Sequence, residues 1–223
     1  MRGMAAPSIP REAWLRLAAC AGAAALLQMD GTIVTVALPS VGDELGADSH
    51  ELSYVLTAYF VAYGLTLFPG GALVDKRGSR AVGLGGLGVF GAGAVLGALA
   101  GSLGVLIFAR VIQGVGAGLV SPASLAGAVS GFPPERRGAA LGIWGASSGV
   151  ANLIGPVVGG LLTVAIDWRA CWWFLVPAVP RQHSRSGSSC RGRYTRTRAR
   201  SRPACANVWW PRLRSSRPSP SPS

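Results

Sequence analysis

Long apolar runs alternate with short polar links along the 223 residues. Five runs are long: Trp14 to Leu38, Leu52 to Val74, Ala81 to Ala100, Gly104 to Val129 and Ala139 to Ile166. A hydrocarbon core about 30 Å thick takes roughly 20 residues of helix to cross, and each run meets that length. A sixth run opens at Cys171, reads CWWFLVPAVP to residue 180 and then stops, about half a crossing. The pattern predicts an all-α membrane protein: residues 1–13 as an N-terminal segment, spans near 14–38, 52–74, 81–100, 104–129, 139–166 and 171–180, the sixth incomplete. Pro39 is expected to stop the first helix.

The links alternate in charge. Residues 39–51 carry Asp43, Glu44, Asp48 and Glu51 without Lys or Arg. The next link holds Lys76, Arg77 and Arg80, 101–103 is uncharged, 131–138 holds Arg136 and Arg137, and 167–169 adds one arginine. Short loops rich in Lys and Arg stay cytoplasmic, so the N-terminus is expected inside, with every second loop. Arg2 and Arg11 precede the first run and Arg16 lies in its first turn; the run exceeds the length of a signal sequence, and an uncleaved first helix is expected.

Composition agrees. Half of the residues are hydrophobic and 13% are charged, against about 25% charged in an ordinary soluble domain. The net charge of +12 suggests nucleic acid only until it is divided: residues 1–180 hold nine acids against ten basic residues, and residues 181–223 hold eleven arginines and no acid. No groove-reading element accompanies that tail, so no nucleic-acid partner is expected. Cys20, Cys171, Cys190 and Cys205 lack the spacing of a disulfide framework or a zinc site. His50 and His183 have no nucleophile, base or metal cluster beside them, so an enzyme is not expected.

Two charges fall deep inside the runs. Arg110, in the fourth, must face protein or a water-filled cavity, or else snorkel from the helix end. Asp30 is the only acid inside any run. At about 1.5 Å per residue, Arg110 lies about 9 Å and Asp30 about 6 Å below the outer surface. The two are expected to face each other across a cavity, because a buried charge without a counter-charge is costly. Gln28, Gln113 and Asn152 are polar residues within runs, for which cavity lining and interhelical hydrogen bonding both stay open. Gly83, Gly85 and Gly88 form GxGxxG, but inside an unbroken apolar run, where small residues serve close helix packing and not a nucleotide.

Four stretches exceed generic packing: Met29 to Pro39 with Asp30; Gly71 to Arg80, reading GALVDKRGSR; Arg110 with Gln113, Gly114, Gly116 and Gly118; and Gly142 through Ala151 to Gly155, Pro156, Gly159 and Gly160. Asp75 follows a helix C-terminus, where the macrodipole disfavours an anion, and is expected to be held by Arg77, Arg80 or another helix's N-terminus. Pro156 is expected to bend its span. Together the stretches resemble the major facilitator superfamily, in its drug:proton antiporter branch with fourteen spans. The 71–80 loop is similar to the signature between helices two and three, departing at Ser79, where a basic residue is usual. The Arg110 segment resembles the motif tied to proton transfer. The segment with Pro156 resembles the motif of antiporters, with Ala151 replacing one glycine. The Asp30 segment resembles the branch's first-helix motif, and Asp167, Trp168 and Arg169 followed by Phe174, Leu175, Val176 and Pro177 resemble its start of helix six.

The resemblance covers residues 14 to about 180. It implies the N-terminal six-helix half of a transporter, a 3+3 inverted repeat, with the substrate path between two halves. It also implies proton-coupled efflux of small, drug-like compounds across the cell membrane, driven by the proton gradient without a cofactor. In that scheme Asp30 takes and releases the proton and Arg110 biases its affinity. Gly71, Asp75, Gly78 and Arg80 gate the cytoplasmic side, with Asp75 and Arg80 as a latch. Gly142, Gly155, Pro156, Gly159 and Gly160 form the antiporter bend. The implied partners are lipid, a small-molecule substrate, protons and the missing C-terminal half. A sugar or organic-acid symporter and an inactive fragment or partner subunit compete, the Pro156 region arguing against the symporter. Residues 181–223 turn to Arg, Ser and Pro, too poor in apolar surface to order themselves. They read either as a tail on anionic lipid or as the product of a lost reading frame, which is preferred because the sixth run stops half-built where the acids vanish.

Overall fold

Inside hydrocarbon a backbone has no water to bond, so an apolar run satisfies its amides and carbonyls by closing into a helix. The computed structural model describes residues 9–175. Its helices are α1 (Arg11–Leu45), α2 (Ser49–Arg77), α3 (Ser79–Ala98), α4 (Leu103–Val129), α5 (Arg137–Ala165) and α6 (Arg169–Leu175). A short 3-10 turn, Pro134–Arg136, leads into α5. There is no strand among the described residues, and α1 to α5 are long and apolar enough to cross a membrane. The chain is a multi-pass membrane protein. The expected remainder of span six and the 181–223 tail lie outside the described residues.

Pro39 does not stop the first helix. It lies inside α1, which runs on to Leu45. The long helices α2, α4 and α5 also carry a proline, Pro69, Pro122 and Pro156. Membrane helices tolerate proline because neighbouring groups re-satisfy the freed backbone. The link to α2 therefore shrinks to three residues, 46–48. Gly46 ends α1 at φ +65°, a left-handed conformation that glycine reaches without a Cβ clash. Asp48 then caps α2: its side chain accepts from the Glu51 amide at 2.7 Å and the Glu51 carboxylate accepts from the Asp48 amide at 3.1 Å, a reciprocal capping box.

Helix α4 lies along both α2 and α3 and touches α1, while α1 lies along α5 and α6 lies on α3. Exchanging α1 with α4, α2 with α5 and α3 with α6 converts the α1–α5 contact into the α4–α2 contact. That is the relation expected of two three-helix repeats. Lipid removes the hydrophobic drive between helices, so close backbone approach decides these contacts. Gly114 and Gly118 meet the α2 backbone at Tyr59 and Tyr63, Gly116 meets the α3 backbone at Phe90, and Gly159 meets the α1 backbone at Ile33.

The end of α1 is fastened to α6. Trp168 Nε1 donates to Glu44 at 2.5 Å, Arg169 Nη1 donates to Glu44 at 2.8 Å, and Arg169 Nη2 donates to the Ala100 carbonyl at 3.2 Å. Glu44 stands past the apolar run that ends at Leu38, and the Trp168 hydrogen bond first, then Arg169, holds its carboxyl below the usual carboxylate range. A depressed carboxyl contributes stability above its ordinary range and loses it as pH falls through the depressed value. Acidification through that window is expected to lower the amide-exchange protection factors at residues 167–172, relative to the intrinsic rate at each pH, while α2 and α4 keep their protection. Unchanged protection factors at residues 167–172 across the window would rule the fastening out.

Candidate functional site

Residues three apart on a helix share a face, so Arg110 and Gln113 project together from α4. They meet Asp30 of α1. Arg110 Nη1 donates to Asp30 Oδ2 at 2.8 Å and to Gln113 Oε1 at 3.0 Å, and Gln113 Nε2 donates to Asp30 Oδ1 at 3.2 Å. Each of the three is 0% exposed. Around them, Trp172 Nε1 of α6 donates to Gln113 Oε1 at 3.3 Å, and Arg110 Nε donates to the Val55 carbonyl of α2 at 3.4 Å. The Arg110 guanidinium carbon sits 4.2 Å from the centre of the Tyr59 ring, where the electron-rich face attracts a desolvated cation. Four helices thus supply one buried polar cluster. Arg110 Nη2 alone lacks an acceptor there.

Asp30 and Arg110 were expected to face each other across a cavity. They are instead in direct contact. A cavity of about 430 Å³ lies beside them, lined by Gln28, Thr32, Thr35, Ser148 and Asn152 and by the aromatic rings of Tyr59, Phe60, Tyr63 and Trp144. Gln28 and Asn152 line it as one of their two open roles allowed. Gln113 does not: it is fully buried and spends its amide on the ion pair and Trp172, which is the other role. Tyr59, Trp172 and the Glu44–Arg169 fastening were not foreseen. No spacing rule selects Tyr59, whose importance comes only from where α2 crosses α4.

The 71–80 stretch is arranged more simply than expected. Gly71 has nothing within 4 Å of where a Cβ would lie. Gly78 joins α2 to α3 at φ +84°, a conformation costly for other residues. Asp75 and Arg80 are both exposed, and neither makes a hydrogen bond or ion pair among the described residues, so the expected hold on Asp75 and its latch with Arg80 are not formed. On α5, Gly155 packs on Thr32 and Gly159 on Ile33, while a Cβ on Gly160 would reach Val36 at 3.8 Å. Gly142 faces open space, and Pro156 is exposed within the continuous helix.

Residues 20–179 match the family model described as Major Facilitator Superfamily. The puromycin resistance protein pur8 of Streptomyces alboniger is 40% identical over 76% of this chain and 34% of its own length. The tetracenomycin C resistance and export protein of Streptomyces glaucescens is 31% identical over 74% of this chain and 30% of its own. The chain thus spans about a third of the curated relatives it matches. A crystal structure of a peptide transporter, POT, as an E310Q mutant with sulfate, superposes with a TM-score of 0.65 at 18% identity, covering 78% of this chain and 36% of that one, a likeness of fold. The family match covers most of the described residues, and these two relatives are named as resistance and export proteins. The chain belongs to the Major Facilitator Superfamily.

Proposed function

We propose that this chain forms the N-terminal half of a proton-coupled exporter of small, drug-like compounds, with its N-terminus cytoplasmic. The observation that carries the reading is the fully buried Asp30–Arg110–Gln113 cluster beside a polar and aromatic cavity. Ionisable residues inside a membrane are expensive and mark proton or ion pathways. Here Asp30 is the proton carrier and Arg110 the counter-charge that holds it between cycles. Movement of α1 against α4 separates them and lets a proton take the place of the guanidinium. The proton gradient supplies the energy without a cofactor. Gly71, Asp75, Gly78 and Arg80 serve the cytoplasmic gate, where Asp75 and Arg80 stand free to engage a second half. Gly155 and Gly159 let α5 slide closely on α1, with Pro156 between them. Lipid, substrate, protons and the C-terminal half are the proposed partners. Relatives named for puromycin resistance and for tetracenomycin C resistance and export support a drug-like cargo.

Asp30→Asn, in a transporter completed with a second half, is expected to abolish efflux of a fluorescent dye driven by a pH gradient in inverted vesicles. Efflux at the unmodified rate in that variant would remove Asp30 from the coupling.

A further inference from the structure

The cavity and the buried ion pair share one side chain. Tyr59 lines the cavity, and its ring carries Arg110 at 4.2 Å. Tyr63, with ring centres 6.3 Å apart and planes 13° from parallel to Tyr59, donates its hydroxyl to Ser121 at 3.1 Å. The Tyr59 hydroxyl makes no hydrogen bond among the described residues. One end of Tyr59 is therefore uncommitted at the cavity while its ring covers the guanidinium.

The lining selects an occupant. Four rings, Tyr59, Phe60, Tyr63 and Trp144, offer stacking surface, and among the described residues no charged side chain lines the cavity. The side-chain amides of Gln28 and Asn152 bond no other side chain or backbone group among the described residues, so both can meet the polar edge of a flat molecule. A charged guest would enter without a counter-charge, which a membrane-embedded site penalises. Aromatic walls attract cations, but Arg110 already occupies the Tyr59 ring.

We propose that this cavity takes an uncharged aromatic compound with hydrogen-bonding edges, and that Tyr59 is the positioning residue through which its occupancy reaches Asp30. The inference rests on Asp30 being the proton carrier. A guest seated against Tyr59 pins the ring over Arg110 and favours the arrangement in which Arg110 holds a charged Asp30. A proton on Asp30 releases the guanidinium, and Tyr59 with it. Guest and proton oppose each other, and linkage makes that opposition reciprocal. Around Asp30 stand Arg110 from α4 and the Tyr59 and Tyr63 phenols from α2; the charged residues of α3, α5 and α6 are Arg80, Arg137 and Arg169, at the helix starts, and the Cys171 thiol donates to the Gly159 carbonyl. Asp30 and Arg110 are the buried charges among the described residues.

The test is equilibrium binding of quinoline, and of N-methylquinolinium as its charged counterpart, to the full chain in lipid nanodiscs. Asp30→Asn stands for the protonated carboxyl. Quinoline is expected to bind at least about tenfold more tightly than N-methylquinolinium. Asp30→Asn is expected to weaken quinoline binding about fivefold or more. Tyr59→Phe keeps the ring: it weakens binding a few-fold through the lost hydroxyl but preserves the Asp30→Asn effect. Tyr59→Leu removes the ring and abolishes that effect, as a double-mutant cycle reads. Absent quinoline binding, or equal binding of the cation, overturns the ligand class. An Asp30→Asn effect below about twofold in the native chain, or its loss in Tyr59→Phe, or its survival in Tyr59→Leu, overturns the coupling. The native and Tyr59→Phe arms decide the matter even where Tyr59→Leu does not assemble. Binding is read without transport, so a failure here is distinguishable from a failure of proton-driven efflux.

Discussion

Arg110→Met is expected to destabilise the chain by about 3–5 kcal/mol, because it leaves the Asp30 carboxylate buried without its counter-charge. That carboxylate is 0% exposed and 2.8 Å from the guanidinium, so neither water nor lipid headgroups replace the lost partner. Gln113 retains its hydrogen bond to Asp30 but carries no charge. Adding Asp30→Leu removes the stranded carboxylate, and the double variant is expected to recover most of the loss, since apolar replacement of a buried pair is often neutral. Unfolding of the native chain, both single variants and the double in mixed micelles gives the complete cycle. A double variant no more stable than Arg110→Met would mean that the pair does not carry the stability assigned to it.

Gly116→Val is expected to cost about 3 kcal/mol, at the upper end of overpacking penalties, or to prevent α4 from seating on α3. A Cβ at Gly116 would lie 2.7 Å from Phe90 Cα and 2.8 Å from the Gly86 carbonyl oxygen. These are backbone atoms of α3, which move only with the whole helix. Lipid offers no compensating hydrophobic gain, because the tails are as apolar as the helix surface. Gly88 supplies the control: nothing lies within 4 Å of its Cβ position, and Gly88→Ala is expected to be neutral or to stabilise by up to about 1 kcal/mol through helix propensity. Equal losses at Gly116 and Gly88 in the same unfolding assay would show that close backbone approach does not govern these glycines.

Asp30 and Arg110 were legible because charge inside an apolar run is rare and costly, and because helix rise converts sequence position into depth. The same arithmetic says nothing of azimuth. It therefore could not distinguish a pair in direct contact from a pair across a cavity, nor reveal that Gln113 bonds the pair while Gln28 and Asn152 line the cavity. Pro39 reads as a stop because the local cost of proline is visible in sequence and the neighbours that absorb it are not. The acidic link between the first two spans reads as a topology signal, yet Asp48 and Glu51 cap α2 and Glu44 holds Trp168 and Arg169.

By itself the sequence determined which segments are helices, since the length of an apolar run and the absence of water leave the backbone one solution. It also determined that the two interior charges sit at matching heights. Only the tertiary structure decided which faces meet. Tyr59 sits over Arg110, Trp172 reaches Gln113, and Asp75 meets neither arginine beside it. Those outcomes depend on how α1, α2, α4 and α6 rotate and cross, and rotation is set by small-residue contacts between helices far apart in sequence.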